Sequence, residues 1–541
     1  MSKNSLPSID EALSAPFSKK LSIYLRHSGP GWLQAAVTLG GGSLASSLYL
    51  GVIGGYEFLW LQPLAMLCGI VILGTISWVT LSIEQRPFRA IQQYVSPTLA
   101  WGWLIATVVA NLVFCIAQFA VGSGAITANL GISLGSPYVL TGFLLLVSFG
   151  ITWLYVGEAK SAKIFDRVLK TLVALVVVSF FATTTFLLFS GAIDLGALFA
   201  GLIPDFGSLF KPVPTLESAI AATGESAPFW NDLITGSQRD RIIAAFGSAV
   251  GINMTFLMPY TLAKRGWTKK HRELSLYDLG MGLFIPFIIA TGCLVLVSGT
   301  IFHSNADDVF ADIKANDAGA IAAYETTMKK RIAWSGDDLG SENVSTAIAA
   351  LPQADRDLGA MIANRNAAQL ARGLAPLMGE TAAQWIFGFG VLAMAVSTII
   401  IIQIMNGFAI SEALNKPGEK NVFIIGALMP GIAGFFAPVL WSGDAKIALV
   451  VPAAVIATTL LPLAYLAFIL LFNSKAALGD EMLTGKPKII SNALMFLVAA
   501  IATFASSWGL WGRGDQAGRY GMVALGALML VSVVGFFRRR A

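Results

Sequence analysis

Charge is what this sequence has least of. Asp, Glu, Lys and Arg together make up 12% of its 541 residues, against roughly 25% in ordinary globular chains. A soluble chain of this length would need charged surface for three or four domains, so a soluble multidomain protein is excluded. Cysteine is nearly absent. Cys68, Cys115 and Cys293 each sit inside an apolar run, where a thiol packs as a small hydrophobe and no disulfide framework is implied. His27, His271 and His303 are the only histidines and do not cluster, which rules out a zinc site built from His and Cys. The sequence contains no H-E-x-x-H, no phosphate-loop motif and no paired aspartates within apolar runs. It therefore reads as neither an enzyme nor a nucleotide-driven pump, and it calls for no cofactor. The net charge of +5 is spread over short connections, so a nucleic-acid partner is not expected.

What is present is apolar length. With 56% of the residues hydrophobic, and about 20 residues needed to cross a bilayer core, twelve spans are expected. They fall at 31–54, 56–82, 99–129, 138–157, 163–191, 240–263, 278–303, 381–414, 421–441, 446–473, 488–510 and 518–537. The chain reads as an all-α, multi-pass membrane protein whose partner is the lipid bilayer. Alternate connections hold the basic residues: Lys19, Lys20 and Arg26, then Arg86 and Arg89, then Lys160, Lys163, Arg167 and Lys170, then Lys264, Arg265, Lys269, Lys270 and Arg272. Cytoplasmic loops keep such charge, so the N-terminal segment 1–30 and the basic C-terminus 538–541 are both expected in the cytoplasm, the protein lying in the cell (inner) membrane. Spans one to seven then occupy 31–303 and spans eight to twelve 381–537. Between them, 304–380 contains 18 of the 67 charged residues, the density of a soluble surface, and reads as an external, partly helical cap.

Two spans carry interruptions. Gly40, Gly41, Gly42 and Ser43 lie at mid-depth in the first, where each glycine costs roughly 1 kcal/mol relative to alanine in a helix interior. In the sixth, Asn253 to Tyr260 includes Pro259, which removes a backbone donor. Non-helical backbone at that depth is tolerated where it is buried or lines a cavity. Interruptions five spans apart are the pattern of a secondary transporter made of two inverted five-helix repeats, here with two appended helices. Close helix packing at the glycines and a simple kink at Pro259 are the bland alternatives.

At these residues the sequence resembles the Nramp family of divalent metal transporters, a group with the LeuT-type fold. Gly29-Pro30-Gly31-Trp32-Leu33 opens the first span, Gly54-Gly55-Tyr56 follows it, and Gly201-Leu202-Ile203-Pro204, Met258-Pro259 and Leu461-Pro462 recur in order. The resemblance implies a metal site formed by Gly40, Gly41, Gly42 and Ser43 with Thr255, Met258, Pro259 and Tyr260. The metal ligands would be Met258, the Thr255 carbonyl and Ser43. This sequence departs from the family pattern in having Gly40 at the aspartate position, Ser43 at the asparagine position and Tyr260 at the histidine position. Family glutamines of the eighth and tenth helices fall on Ala395 and Ala454, and the third helix offers only Asn111 and Gln118 as strongly polar groups.

The resemblance implies alternating-access transport of a metal cation, a divalent one such as manganese or iron, coupled to a proton or sodium ion. The missing carboxylate keeps two other readings open: a sodium-coupled transporter of a neutral or zwitterionic solute, and a non-transporting sensor that keeps the fold. Glu84, Glu158, Asp166 and Asp278 lie near predicted cytoplasmic ends and read as solvated or paired helix-end charges. The alternative is an inner gate with Arg167 or Lys170.

Overall fold

The computed structural model describes residues 9–83, 85–133, 135–336, 344–440, 450–511 and 516–538. Glu84 lies outside them, and the side chain of Ala454 is likewise outside the described set. Among the described residues every regular element is helical. Among these residues nine helices are long and apolar enough to cross a membrane, and two bent helix pairs bring the number to eleven.

The first span is such a pair: α1 (Pro30–Thr38) and α2 (Gly41–Gly54) meet at 54°. Gly40 is extended, at φ −108° and ψ −175°, and glycine is required there by proximity. A Cβ on Gly40 would stand 2.4 Å from the Thr398 hydroxyl oxygen. The next spans are α3 (Leu61–Ile83), α4 (Pro97–Gly124), α5 (Pro137–Val156) and α6 (Ala159–Phe189).

The sixth span differs from the sequence expectation in two ways. Its helix begins at residue 227 rather than 240, and its break falls before the proline. α7 (Ala227–Ala249) ends at extended Val250, and α8 (Ile252–Lys264) restarts after extended Gly251. The chain runs through Pro259 as helix, since one missing N–H frees only the Thr255 carbonyl. Gly251 and Asn253 make the earlier break favourable: the Asn253 side-chain oxygen accepts the Met254 N–H at 3.0 Å, supporting the new N-terminus. The charged middle of α7, Arg239, Asp240 and Arg241, explains why the span does not register as apolar.

The seventh span joins α9 (Arg272–Leu279) to α10 (Ile285–Phe302) through a widened turn at Gly280–Phe284. Then follow α11 (Glu380–Ala413), α12 (Lys420–Phe435), α13 (Val450–Phe472), α14 (Gly485–Trp511) and α15 (Gln516–Arg538). The apolar stretch of α11 is 78% buried and that of α15 only 11%, so α11 is the central strut and α15 a lipid-facing attachment. Two five-span halves, each opening with a broken helix, make the inverted repeat, with α14 and α15 appended.

The described residues of 304–380 form a helical layer built from Asp307–Lys314, Ala318–Trp334, Val344–Ala350, Gln353–Ile362 and Ala367–Met378. This layer is not closed on itself. Its core residues Val309, Met328 and Leu358 pack with Leu216 from the link between α6 and α7, with Trp230 of α7, and with Leu50 and Phe58 at the end of the first span. Buried Asp355 ties the two stretches together, accepting from Trp230 Nε1 at 2.6 Å, Ser226 Oγ at 2.7 Å and Arg331 Nε at 2.9 Å. Arg365, 1% exposed, clamps both oxygens of Asp308 at 2.9 and 3.0 Å.

Candidate functional site

The two breaks face each other across a cavity of about 20 Å³, room for one or two water-sized bodies. Gly40, Gly42 and Ser43 line it from the first break, Gly251, Asn253 and Met254 from the second, with Gln118 of α4 and Thr398 of α11. The helix ends cap one another. Thr38 Oγ1 donates to the Ala249 carbonyl at 2.8 Å, closing the end of α7, and Ser43 Oγ donates to the Thr38 carbonyl. Ser397 Oγ and Thr398 Oγ1 both donate to the Ala36 carbonyl at 3.1 Å. Gly41 does not line the cavity; its N–H donates to Gln118 Oε1 at 2.9 Å.

The hydroxyl protons of Thr38, Ser43 and Thr398 are thus directed at backbone carbonyls. Oxygen lone pairs are what these groups retain for a ligand. Met254 adds a thioether, its Sδ 3.0 Å from Thr38 Oγ1. Among the described residues no cluster of three or more His, Cys, Asp or Glu could hold a metal. The site is neutral, rich in oxygen, with one soft sulfur.

Of the residues assigned from sequence, Gly40, Gly42 and Ser43 stand in the cavity, while Thr255, Met258, Pro259 and Tyr260 do not line it. Thr255 is buried with its hydroxyl accepting from Trp103 Nε1 at 2.9 Å. Met258 is fully buried in the apolar core, about 6 Å farther along α8 than Met254 at 1.5 Å per residue. The Tyr260 ring stacks on Phe256 at 4.6 Å and Phe408 at 5.5 Å. The reason is the position of the break. With the helix restarting after Gly251, Met254 occupies the first turn and Met258 the second. Gly251 and Met254 are three apart, the same carbonyl-to-thioether spacing that Thr255 and Met258 offer, so α8 carries two such pairs one turn apart and only the first lines the cavity.

The family model for natural resistance-associated macrophage protein-like proteins (Nramp) matches residues 31–321 and 345–511. The chain belongs to the Nramp family. Its fold is that of the Eremococcus coleocola manganese transporter. The structure of that transporter with an aromatic bis-isothiourea substituted compound has TM-score 0.67 and 15% identity, over 99% of this chain and 98% of the other. Two single-residue mutants of it give TM-score 0.66 and 14% identity over 97% of each chain. No curated protein matches. This Nramp chain is a multi-pass membrane transporter of the metal-ion class.

The polar lining of the Nramp cavity is neutral, and so are the buried amides farther along α11. Gln403 of α11 accepts from Thr152 Oγ1 at 2.7 Å and donates to Ser148 Oγ at 3.2 Å, and Asn406 donates to the Gly426 carbonyl at 2.7 Å. Ala395 is buried without a polar role, and Gln403 is the buried glutamine of this helix. Charge reappears at the base of α1. Asp278 is fully buried, not solvated, and its carboxylate takes the Ser28 hydroxyl and the N–H groups of Gly29 and Gly31 at 3.0 and 2.5 Å. It caps α1 where Ser28 also accepts Lys170 Nζ, at its carbonyl, at 3.1 Å. Asp166 pairs with Arg265 at 2.9 Å.

A larger cavity of about 600 Å³ lies on the cap side, among Glu57, Asp194, Asp205 and His303. Asp194 and Asp205 are occupied as helix caps. Burial holds the His303 imidazole below its ordinary range and pushes the Glu57 carboxyl up, helped by the negative charges of Asp205 and Glu217. His303 bonds the Val52 carbonyl at 3.1 Å and Thr215 Oγ1 at 2.8 Å.

Proposed function

We propose that this Nramp chain is a secondary transporter that moves a divalent metal cation, manganese or iron, by alternating access through the cavity between the two broken helices. The observation carrying this reading is the convergence of Met254, the hydroxyl oxygens of Thr38, Ser43 and Thr398, and the break at Gly251 on one small cavity. A thioether favours softer transition metals over Mg²⁺ or Ca²⁺, which prefer carboxylates. Without formal negative charge in the cavity, the metal keeps part of its water shell and binds weakly.

Alternating access follows from where the helices are pinned. On the cap side Arg241 of α7 lies over the Tyr49 ring of α2 at 4.4 Å and donates to Asn364 at 3.0 Å. On the opposite side Asp278 holds the start of α1 and Arg265 holds Asp166. Releasing one set while the other stays closed exposes the cavity to one side at a time. In our reading the basic loops and both termini face the cytoplasm and the cap faces outward. Mn²⁺, Mg²⁺, Na⁺ and amino-acid uptake into proteoliposomes tests the assignment. Saturable Mn²⁺ uptake supports it; Na⁺-dependent solute uptake, or no flux by folded protein, supports the solute transporter or the sensor instead.

A further inference from the structure

The cavity's hydrogen-bonding groups are unbalanced. Carbonyls at its negative helix ends are covered: Ala36, Thr38 and Ala249 each accept a hydroxyl. At the positive ends only some of the donors are matched. α2 has 14 residues and α8 has 13, and both start at the cavity. First-turn N–H groups have no intrahelical acceptor, and each helix N-terminus adds a partial positive charge. Of these, Gly41 N–H is taken by Gln118 Oε1 and Met254 N–H by Asn253 and the Gly251 carbonyl; Gly42 and Ser43 of α2 and Ile252 and Asn253 of α8 are left, and the α2 pair lies on the same break as the Gly41 that Gln118 holds.

Gln118 supplies the independent observation. It is 0% exposed and lines the cavity. Because Gly41 N–H fixes which end of the amide is oxygen, the other end is the NH₂ group. That Nε2 is buried with no hydrogen-bond partner, a state that costs free energy unless a ligand completes it.

We infer that the cavity binds a small monovalent anion, chloride in size and charge, on Gln118 Nε2 and the Gly42 and Ser43 N–H groups. Helix N-termini with free amides are anion sites, and the cavity admits one such ion. The anion stands beside Gly40, where the family pattern has a carboxylate, and supplies the negative charge that a divalent cation needs when the cavity opens wide enough to take both. That last role rests on the proposed metal transport; the anion site does not.

The experiment titrates the purified full-length protein with NaCl and NaBr against sodium methanesulfonate at constant ionic strength, reading thermal stability. Wild type is expected to gain stability saturably with halide. Gln118→Glu keeps the oxygen that accepts from Gly41 and brings its own charge, so it is expected to fold and to lose the halide response. Gln118→Leu is expected to bind halide at least about tenfold more weakly, the loss of one hydrogen bond to a charged group. Should Gln118→Leu not fold, Gln118→Glu decides alone. No halide-specific gain in wild type, or an equal gain in Gln118→Glu, overturns the inference. In proteoliposomes, Mn²⁺ uptake by wild type should fall when chloride is replaced by methanesulfonate, while Gln118→Glu should be indifferent. Halide binding without Mn²⁺ uptake by any variant would leave the anion site standing and refute metal transport.

Discussion

Restoring the aspartate that the family pattern places at Gly40 is not a simple gain of function. A Cβ at this position meets Thr398 Oγ1 at 2.4 Å, and Thr398 Cγ2 and the Val37 carbonyl both at 3.1 Å. Thr398 cannot easily yield, since its β-branched side chain has few rotamers in a helix and its hydroxyl is bonded to the Ala36 carbonyl. Overpacking of this kind costs about 1–3 kcal/mol, and the new carboxylate adds a desolvation cost when no cation is bound. Gly40→Asp alone is therefore expected to lower the unfolding temperature and to leave metal affinity little improved. Gly40→Asp with Thr398→Ala removes both Thr398 atoms, leaves the Val37 carbonyl at 3.1 Å as the one tight contact, and gives the carboxylate more room. A unit charge pair about 4 Å apart near a protein surface interacts by about 4 kcal/mol before desolvation. Mn²⁺ binding by the double variant should accordingly tighten at least about tenfold. Thermal unfolding in detergent with Mn²⁺ titration reads both effects. If Gly40→Asp alone is as stable as wild type, or the double variant binds Mn²⁺ no tighter, the contact between the first break and α11 is not as described.

The two methionines of α8 should separate cleanly. Met254→Ala is expected to raise the Mn²⁺ concentration for half-maximal uptake with little loss of stability, whereas Met258→Ala, in the apolar core, should cost about 2–5 kcal/mol of stability and leave metal preference unchanged. Asp355→Ala leaves Arg331 buried without its partner, a loss of about 3–5 kcal/mol, read as faster proteolysis of the cap. His303 has a folded-state pKa below the ordinary value of 6.5, so the folded state binds fewer protons than the unfolded chain. Its contribution to stability is full above about pH 6.5 and falls as pH drops below that value. His303→Gln should flatten this part of the pH–stability profile, measured by thermal unfolding between pH 5 and 8 on the order of half-unit steps.

Much of the fold was legible because bilayer crossing writes itself as apolar length, and the first break because three glycines at mid-depth have few other uses. The second break was misplaced by one helical turn. Pro259 carries the stronger sequence signal, yet a proline frees only one carbonyl, while Gly251 and Asn253 together end one helix and start another. Half of the cavity lining follows from that shift: Met254 lines it and Met258 does not, and Tyr260 joins an aromatic stack. Gln118 stood out in sequence as a rare polar group of its helix, but its unpaired NH₂ depends on a contact with Gly41, 77 residues away. The burial of Asp278 was equally illegible, because its partners at Gly29 and Gly31 are some 250 residues distant. The sequence marks only 304–380 as the cap, whereas its core includes Trp230 and Leu216, whose partners are set by tertiary packing alone.

The account's central claim is that a metal cation crosses through a carboxylate-free cavity lined by Met254. Mn²⁺ uptake into proteoliposomes, compared between wild type and Met254→Ala at equal folded protein, tests it most directly. The prediction is saturable uptake by wild type and a raised half-saturation concentration in Met254→Ala. Absence of Mn²⁺ uptake by folded wild type, or uptake identical in both proteins, would contradict it.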